Sequence, residues 1–289
     1  MTPDNSTTRL RDSGSDAALA ALDRTLSGLA PVAVAVSGGV DSMTLAFVAH
    51  RLLEGRAQML HAVSPAVPPD GTARVRAYAA REGWPLTIID AGEFADTRYM
   101  ANPSNRCYFC KTNLYTTMAA RTSSCIVSGT NVDDLGDFRP GLGAAAEHGV
   151  RHPYVDAGID KQGVRRLAAR LGLDDLAELP AAPCLASRIE TGIAIDPRVL
   201  DAVYRAERAI AEALSPRTVR CRVRRARVVI ELDDDAIGAI GDDTRRELAA
   251  RIARTFDEAG ITYPVEFAPY RMGSAFVRRK ACGADGTHG

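Results

Sequence analysis

The stretch Val32-Ala-Val-Ala-Val-Ser37-Gly38-Gly39-Val40-Asp41-Ser42 constrains the fold more than any other part of the chain. Its apolar half, rich in β-branched valine, predicts a strand buried on both faces, as parallel sheets require. The run breaks at Ser-Gly-Gly, and apolar periodicity from Met43 to Leu53 then predicts a helix opening at Asp41-Ser42. Glycine lets backbone approach a ligand closely, and a helix start offers unpaired N–H groups to an anion. Strand, glycine turn and helix therefore make a phosphate cradle. It is not the Walker type, because no Gly-Lys-Ser/Thr follows at the required spacing.

Strands and helices alternate on both sides of this turn. Helices are predicted over residues 17–29, 42–54, 71–82, 107–120, 141–148 and 161–171, and strands over 57–63, 86–90 and 125–128. This order specifies an α/β fold with a parallel sheet and helices on both faces. Ligands of such sheets sit at the carboxyl ends of the strands, where the loops 37–42, 129–140 and 102–111 are expected to gather. Residues 174–195, with Pro180, Pro183 and Gly192 and little periodicity, predict a loop. Helix 197–213, strands 217–223 and 227–233, helix 243–257 and strand 261–267 then describe a smaller C-terminal α+β domain. The expected division is a polar tail 1–14, a first domain 15–185, a second domain 186–276 and a tail 277–289.

The 289 residues can bury a substantial core. A formal net charge of zero provides no global field for nucleic acid, so none is expected as a partner. Six cysteines, no secretory signal and no apolar run of membrane length predict a cytoplasmic protein with reduced thiols and no membrane partner. Only Lys111, Lys161 and Lys280 are lysine among 36 basic residues, so arginine-rich stretches carry less weight than usual.

Cysteine chemistry concentrates in Asn102-Pro-Ser-Asn-Arg106-Cys107-Tyr-Phe-Cys110-Lys111. A Cys-x-x-Cys at a helix start puts two thiols on one face, with thiolates favoured by the helix dipole and the flanking cations. The pair suits a redox dithiol, half of a zinc site or two ligands of an iron–sulfur cluster. Cys184, in Pro183-Cys-Leu-Ala-Ser187-Arg188, is the candidate third ligand, in an exposed setting beside an arginine. Cys125, Cys221 and Cys282 read as inert. Ser128-Gly129-Thr-Asn131-Val-Asp133-Asp134 leaves the fourth strand, where its polar groups can meet a nucleotide or cap a helix. Residues 217–227 hold six arginines, with Arg220, Arg222 and Arg224 on one strand face as a clamp for a substrate phosphate or as a solvated surface. Glu231, on the next strand, could orient an arginine, bind a metal or have no role.

Taken together these strings resemble the LarE family of PP-loop ATP pyrophosphatases, sulfur transferases that help make the nickel-pincer nucleotide of lactate racemase. The resemblance runs from about Leu29 to Met272. It is carried by Ser37–Ser42, by the Cys107–Cys110 segment and by Asp137-Phe-Arg-Pro-Gly-Leu142. Lys161-Gln-Gly-Val-Arg165, Pro183-Cys-Leu-Ala-Ser-Arg188 and Tyr270-Arg-Met-Gly273 also match. It implies adenylylation of pyridinium-3,5-biscarboxylic acid mononucleotide by ATP and Mg²⁺, followed by displacement of AMP by sulfur. Ser37, Gly38, Gly39, Asp41 and Ser42 would bind the ATP phosphates beside Gly129 and Asn131, with Asp41 also catalytic. Ser187, Arg220 and Arg222 would hold the mononucleotide phosphate, and Cys184 would deliver sulfur. One branch of the family sacrifices the cysteine matching Cys184. The other holds a 4Fe-4S cluster on three cysteines, which Cys107, Cys110 and Cys184 match, and which implies an iron–sulfur enzyme. Homo-oligomerisation through the second domain, a sulfide donor and a downstream nickel-inserting protein are the implied partners. The segment Ile189-Glu-Thr-Gly192 departs from the family pattern. A PP-loop tRNA thiolase is the alternative, opposed by the neutral charge.

Overall fold

A computed structural model describes residues 13–136 and 139–274. The tails 1–12 and 275–289, which include Lys280 and Cys282, lie outside the described residues, as do Asp137 and Phe138 of the Asp-Phe-Arg-Pro string. The chain enters through α1 (Ser13–Leu29) into β1 (Val32–Ala35), and the glycine turn opens α2 (Val40–Leu52). Then come β2 (Ala57–Ala62), α3 (Pro69–Glu82), β3 (Leu86–Ile89), α4 (Thr97–Met100), α5 (Arg106–Ala119) and β4 (Cys125–Ser128). The helices α6 (Pro140–Glu147), α7 (Pro153–Asp156), α8 (Lys161–Arg170) and α9 (Asp174–Ala177) follow. The remainder is α10 (Pro197–Leu214), β5 (Val219–Val223), β6 (Val228–Leu232), α11 (Asp234–Ala239), α12 (Asp242–Glu258) and β7 (Val265–Pro269).

β1 to β4 form one parallel sheet in the order β3-β2-β1-β4, with Val34 opposite Met59 on one side and Val127 on the other. Side chains alternate across a strand, so the valine run serves two cores. Val32 and Val34 pack with Leu22 and Leu26 of α1, the apolar side of α2, and Val164 and Leu167 of α8. Ala33 faces the other way, with Leu60, Ile126, Tyr115 and Met118 of α5 and Ala145 of α6. The fold is α/β with helices on both faces, as the alternation of elements predicts. The chain reverses its direction of travel across the sheet between β1 and β4. Their carboxyl ends therefore frame the crevice where α/β sheets take ligands.

The second sheet is mixed: β5 and β6 pair antiparallel, β6 and β7 parallel. Its core is built by Val199, Leu200, Val203 and Ile210 of α10 with Ile252 and Phe256 of α12. α10 starts firmly, with Asp196 accepting from the Arg198 amide at 2.8 Å and Pro197 in the first helical turn. β7 begins at Val265 rather than at 261, because Pro264 gives its carbonyl to the Val228 amide at 2.9 Å and sets the register there. The stretch 174–195 is less irregular than its composition suggests, since it contains α9 and a 3-10 turn, Leu185–Arg188.

Two compact units result. One comprises residues up to Val63 together with Pro69–Ala91 and Lys111–Ala182; the other comprises Ser64–Pro68, Gly92–Cys110 and the chain from Pro183. Phe94, Tyr99 and Met100 join the second core, so Cys107 and Cys110 count with the second unit rather than with the loops of the parallel sheet. Among the described residues no helix is long and apolar enough to cross a membrane.

Candidate active site

In the first unit the glycine turn is shaped by contacts that only glycine allows. Gly38 has φ +82°, and a Cβ there would lie 2.6 Å from the Gly71 carbonyl oxygen. A Cβ on Gly129, at the end of β4, would lie 2.7 Å from the Ser42 amide nitrogen. β1, α2 and β4 thus meet through bare backbone. Gly39 caps α2 without a side-chain hydrogen bond, which leaves helix-start amides to a ligand. The Ser37 amide donates to Ser42 Oγ at 3.0 Å, and the two serine hydroxyls lie 3.0 Å apart. Arg74 Nη1 donates to the Gly38 carbonyl at 2.8 Å.

Behind the turn, buried His61 places Nδ1 2.8 Å from the Val36 carbonyl and Nε2 2.9 Å from Thr72 Oγ1. The carbonyl can only accept, so Nδ1 carries the proton and Nε2 accepts from threonine. Burial lowers the His61 pKa, which keeps the ring neutral in this role.

Asp41 is the charged centre of this unit. Asn131 Nδ2 donates to its Oδ1 at 3.2 Å, and Lys161 Nζ lies 2.5 Å from its Oδ2. The Asp41 carbonyl accepts from Tyr154, a fully buried phenol held far above its ordinary pKa by burial and by Asp41. Lys161 opens α8, a position where the helix dipole disfavours a cation. Its amide donates to Asp133 Oδ2 at 3.1 Å, and Asp160 caps the helix by accepting from Gly163 at 2.6 Å. A lysine placed against the dipole, in a chain that otherwise uses arginine, is a functional signal. In the sequence Lys161 is marked only by its rarity, as one of three lysines among 36 basic residues. Ser128, also at the end of β4, bonds His152 Nδ1 at 2.9 Å and Thr130 Oγ1 at 3.0 Å.

The second unit gathers the remaining candidates. Cys107 and Cys110 lie about one helical turn apart at the start of α5. Buried Arg106 beside them donates to Asn102 Oδ1 at 2.7 Å. Asn102 in turn gives Nδ2 to the carbonyls of Glu190 and Ile193, both at 2.9 Å, and its own carbonyl to the Gly192 amide. The departing segment Ile189–Gly192 is therefore tied to the residues before the Cys-x-x-Cys. Cys184 is exposed and precedes the 3-10 turn. Arg188 is spent on other groups than that thiol: Nε and Nη2 each meet Glu207 at 2.9 Å, while Nη1 donates to the carbonyls of Pro183 and Cys184. Its role is to shape the loop that carries the cysteine. Burial pushes the pKa of half-buried Cys125 and of buried Cys221 upward, which disfavours their thiolates.

Of the phosphate candidates, Arg222 is buried and compensated, with Nε 3.0 Å from Glu231 Oε2 and Nη1 3.1 Å from the Ser187 carbonyl. Glu231 thus orients an arginine, the first of the readings its position allowed, and also accepts from Ser274 Oγ at 2.6 Å. Ser187 Oγ lies 3.2 Å from Arg188 Nη1. Arg220 differs. Its guanidinium lies 5.9 Å from the Tyr270 ring, and burial, then the nearby Arg188 charge, hold its pKa below the usual arginine value. Crowded half-buried guanidiniums favour an anion. Arg224 falls outside β5 and is drawn to Glu190 and Glu231.

No family model matches the chain. It is 36% identical over 234 residues to an uncharacterised protein of Synechocystis, covering 80% of this chain and 85% of that one. An uncharacterised protein of Methanocaldococcus jannaschii is 25% identical over 208 residues, covering 71% and 78%. The pyridinium-3,5-bisthiocarboxylic acid mononucleotide synthase of Lactiplantibacillus plantarum is 28% identical over 238 residues, 79% of this chain and 85% of the synthase. Over most of its length the chain is thus similar to a LarE-type synthase.

The three cysteines of the sequence motifs share the second unit. Cys110 packs against the second core, and both Cys110 and Cys184 act electrostatically on one buried phenol, Tyr99. Among the described residues, however, no group of three His, Cys, Asp or Glu side chains is placed to hold a metal ion.

Proposed function

We propose that this protein is an ATP-dependent sulfur transferase that converts the carboxylates of pyridinium-3,5-biscarboxylic acid mononucleotide to thiocarboxylates in the cytoplasm. One observation carries the proposal. The open start of α2, the paired Ser37 and Ser42 hydroxyls, and Asp41 held by Lys161 and Asn131 form an anion cradle at the sheet's switch point. The kinship with a synthase of this class of compound supports the substrate.

In the first step a substrate carboxylate oxygen attacks the α-phosphorus of ATP. The bond to the bridging oxygen breaks, and pyrophosphate leaves with the electron pair. The α2 amides, Ser37 and Ser42 receive the departing charge, and Lys161 adds a positive one. Gly129 allows the close approach of β4 to the turn, and Asn131 orients Asp41. Asp41 offers the hard oxygen that Mg²⁺ takes, and Mg²⁺ bound there would neutralise the leaving pyrophosphate. Arg220 and Ser187 would seat the mononucleotide phosphate, with Arg222 held in place by Glu231. In the second step a sulfur nucleophile delivered at Cys184 attacks the acyl carbon, and AMP leaves with the oxygen.

Two thiols one helical turn apart and a third on a separate loop match the donor chemistry of a 4Fe-4S cluster, although the described residues hold no ready-made three-ligand site for a single ion. Cys107, Cys110 and Cys184 would hold that cluster, which would supply a fresh sulfide at each turnover. The exposure of Cys184 favours a second reading in which its own sulfur is given up once. A homo-oligomer, a sulfide donor and a nickel-inserting partner complete the proposal.

The test is to supply ATP, Mg²⁺ and the mononucleotide anaerobically, and to measure pyrophosphate and, by mass spectrometry, thiocarboxylate. Pyrophosphate that depends on the mononucleotide supports the reading; release that ignores it refutes it. Iron, acid-labile sulfide and the mass of the Cys184 peptide after turnover then separate the two sulfur sources.

A further inference from the structure

The glycine turn is held peptide by peptide, and the holding is uneven. The Ser37 amide donates to Ser42 Oγ, and the Gly39 carbonyl accepts from the Met43 amide at 3.0 Å and from Ser42 Oγ at 3.3 Å. α2 therefore fixes both of these groups through its own first turn. The peptide that joins Gly38 to Gly39 lies between them and has no such hold from α2. Its carbonyl is fixed from outside, by Arg74 Nη1 at 2.8 Å. Its N–H, on Gly39, meets no acceptor among the described residues.

This peptide is also the one least able to keep its own orientation. A peptide flanked by two glycines can turn over by about 180° at little cost, because neither neighbour carries a Cβ to resist a positive φ. Carbonyl and N–H point to opposite sides of a planar trans peptide, so turning over exchanges their directions. An N–H facing the ligand attracts an anion, and a carbonyl in its place repels one. Arg74 decides between the two. It lies half-buried in α3, and among the described residues no carboxylate pairs with it. The helix that carries it is itself anchored to the end of β1. The Gly71 backbone packs on Gly38, and Thr72 bonds the His61 ring that holds the Val36 carbonyl.

We propose that Arg74 is a positioning residue for the pyrophosphate of ATP: it holds the Gly38 carbonyl toward α3 and thereby keeps the Gly39 N–H aimed at the anion. The inference rests on the ATP reading of the cradle and deepens it. Arg74 makes and breaks no covalent bond. The amide that it orients is the group that meets the phosphate.

Arg74→Ala removes the hold, and three measurements read the result: binding of Mg²⁺-pyrophosphate, binding of AMP and thermal melting. The dissociation constant for pyrophosphate should rise about tenfold, as expected for one hydrogen bond to a charged group. AMP lacks the departing phosphates and should bind as it does to the wild type, with melting near the wild-type temperature. Arg74→Lys keeps a donor for the carbonyl and should recover part of the loss. The ratio of wild-type to Arg74→Ala affinity should persist as salt rises from ~0.05 M to ~0.5 M, because a held peptide is not screened. A ratio that collapses at high salt overturns the inference, since Arg74 then acts only as a charge. Unchanged pyrophosphate affinity in Arg74→Ala overturns it as well. So does a lower melting temperature with pyrophosphate and AMP weakened in parallel, because the arginine then serves the fold. A wild-type protein that binds no Mg²⁺-pyrophosphate refutes the ATP reading of the cradle and this inference with it.

Discussion

Lys161→Ala separates the two uses that the Lys161–Asp41 pair can have. The ammonium lies 2.5 Å from Asp41 Oδ2, with side-chain exposures of 34% and 26%. A pair this accessible is screened by solvent, so its loss should cost only about 0.5–1 kcal/mol of stability. Asp41 keeps its bond from Asn131 and its access to water, so no stranded buried charge is left behind. Contact with a departing pyrophosphate is a different matter. A hydrogen bond to a charged group is worth about 1.5–3 kcal/mol, which predicts a ten- to hundredfold fall in kcat/KM for ATP. The assay is mononucleotide-dependent pyrophosphate release over a range of ATP concentrations, with thermal melting alongside. Lys161→Arg should recover part of the rate, since it keeps the charge but not the compact head. Unchanged kinetics with a slightly lower melting temperature would mean that Lys161 merely tethers Asp41.

Gly129→Ala should abolish pyrophosphate release and destabilise by about 1–3 kcal/mol, because its Cβ meets Ser42 backbone at 2.7 Å. Gly28→Ala, in open space within α1, should be neutral or stabilising in the same melting experiment. Glu207→Gln strands the buried Arg188 guanidinium and should cost about 3–5 kcal/mol, read by denaturant unfolding, with faster proteolysis near Cys184 if Arg188 holds that loop. Stability should fall as pH drops below about 6.5: burial depresses the His61 and His152 pKa values, so the unfolded chain binds protons first. Melting temperature measured from pH 7.5 to 5 should show that slope, and His61→Gln should flatten part of it; an unaltered slope in that variant would exclude His61 as a source.

Much of the fold was legible because its signals are local. The valine run, Ser-Gly-Gly and the apolar period after Asp41 each depend on near neighbours in sequence, and β1, the turn and α2 lie where they were expected. The same holds for β4 and α8, whose ends carry Gly129, Asn131 and Lys161. The sequence could mark these as polar groups at strand and helix ends. It could not show that Asn131 and Lys161 converge on Asp41 from 90 and 120 residues away. Strand order decides that: only when β4 pairs with β1 does the loop after β4 reach the turn.

The second unit depended more on tertiary contacts. Strand period grouped Arg220, Arg222 and Arg224, yet Glu231 on β6 neutralises Arg222 and leaves Arg220 as the crowded cation. Arg188 looked like a partner for the Cys184 thiol until Glu207, on α10, claimed it. Arg74 of the first unit carried no sequence signal either, since its neighbours do not reveal that it meets the Gly38 carbonyl from 36 residues away. The sequence by itself determined which residues carry charge, sulfur and conformational freedom, because those properties are local to each side chain. Only the tertiary structure decided which charges cancel and which groups stay unsatisfied, because pairing and desolvation depend on what distant parts of the chain bring to the same place.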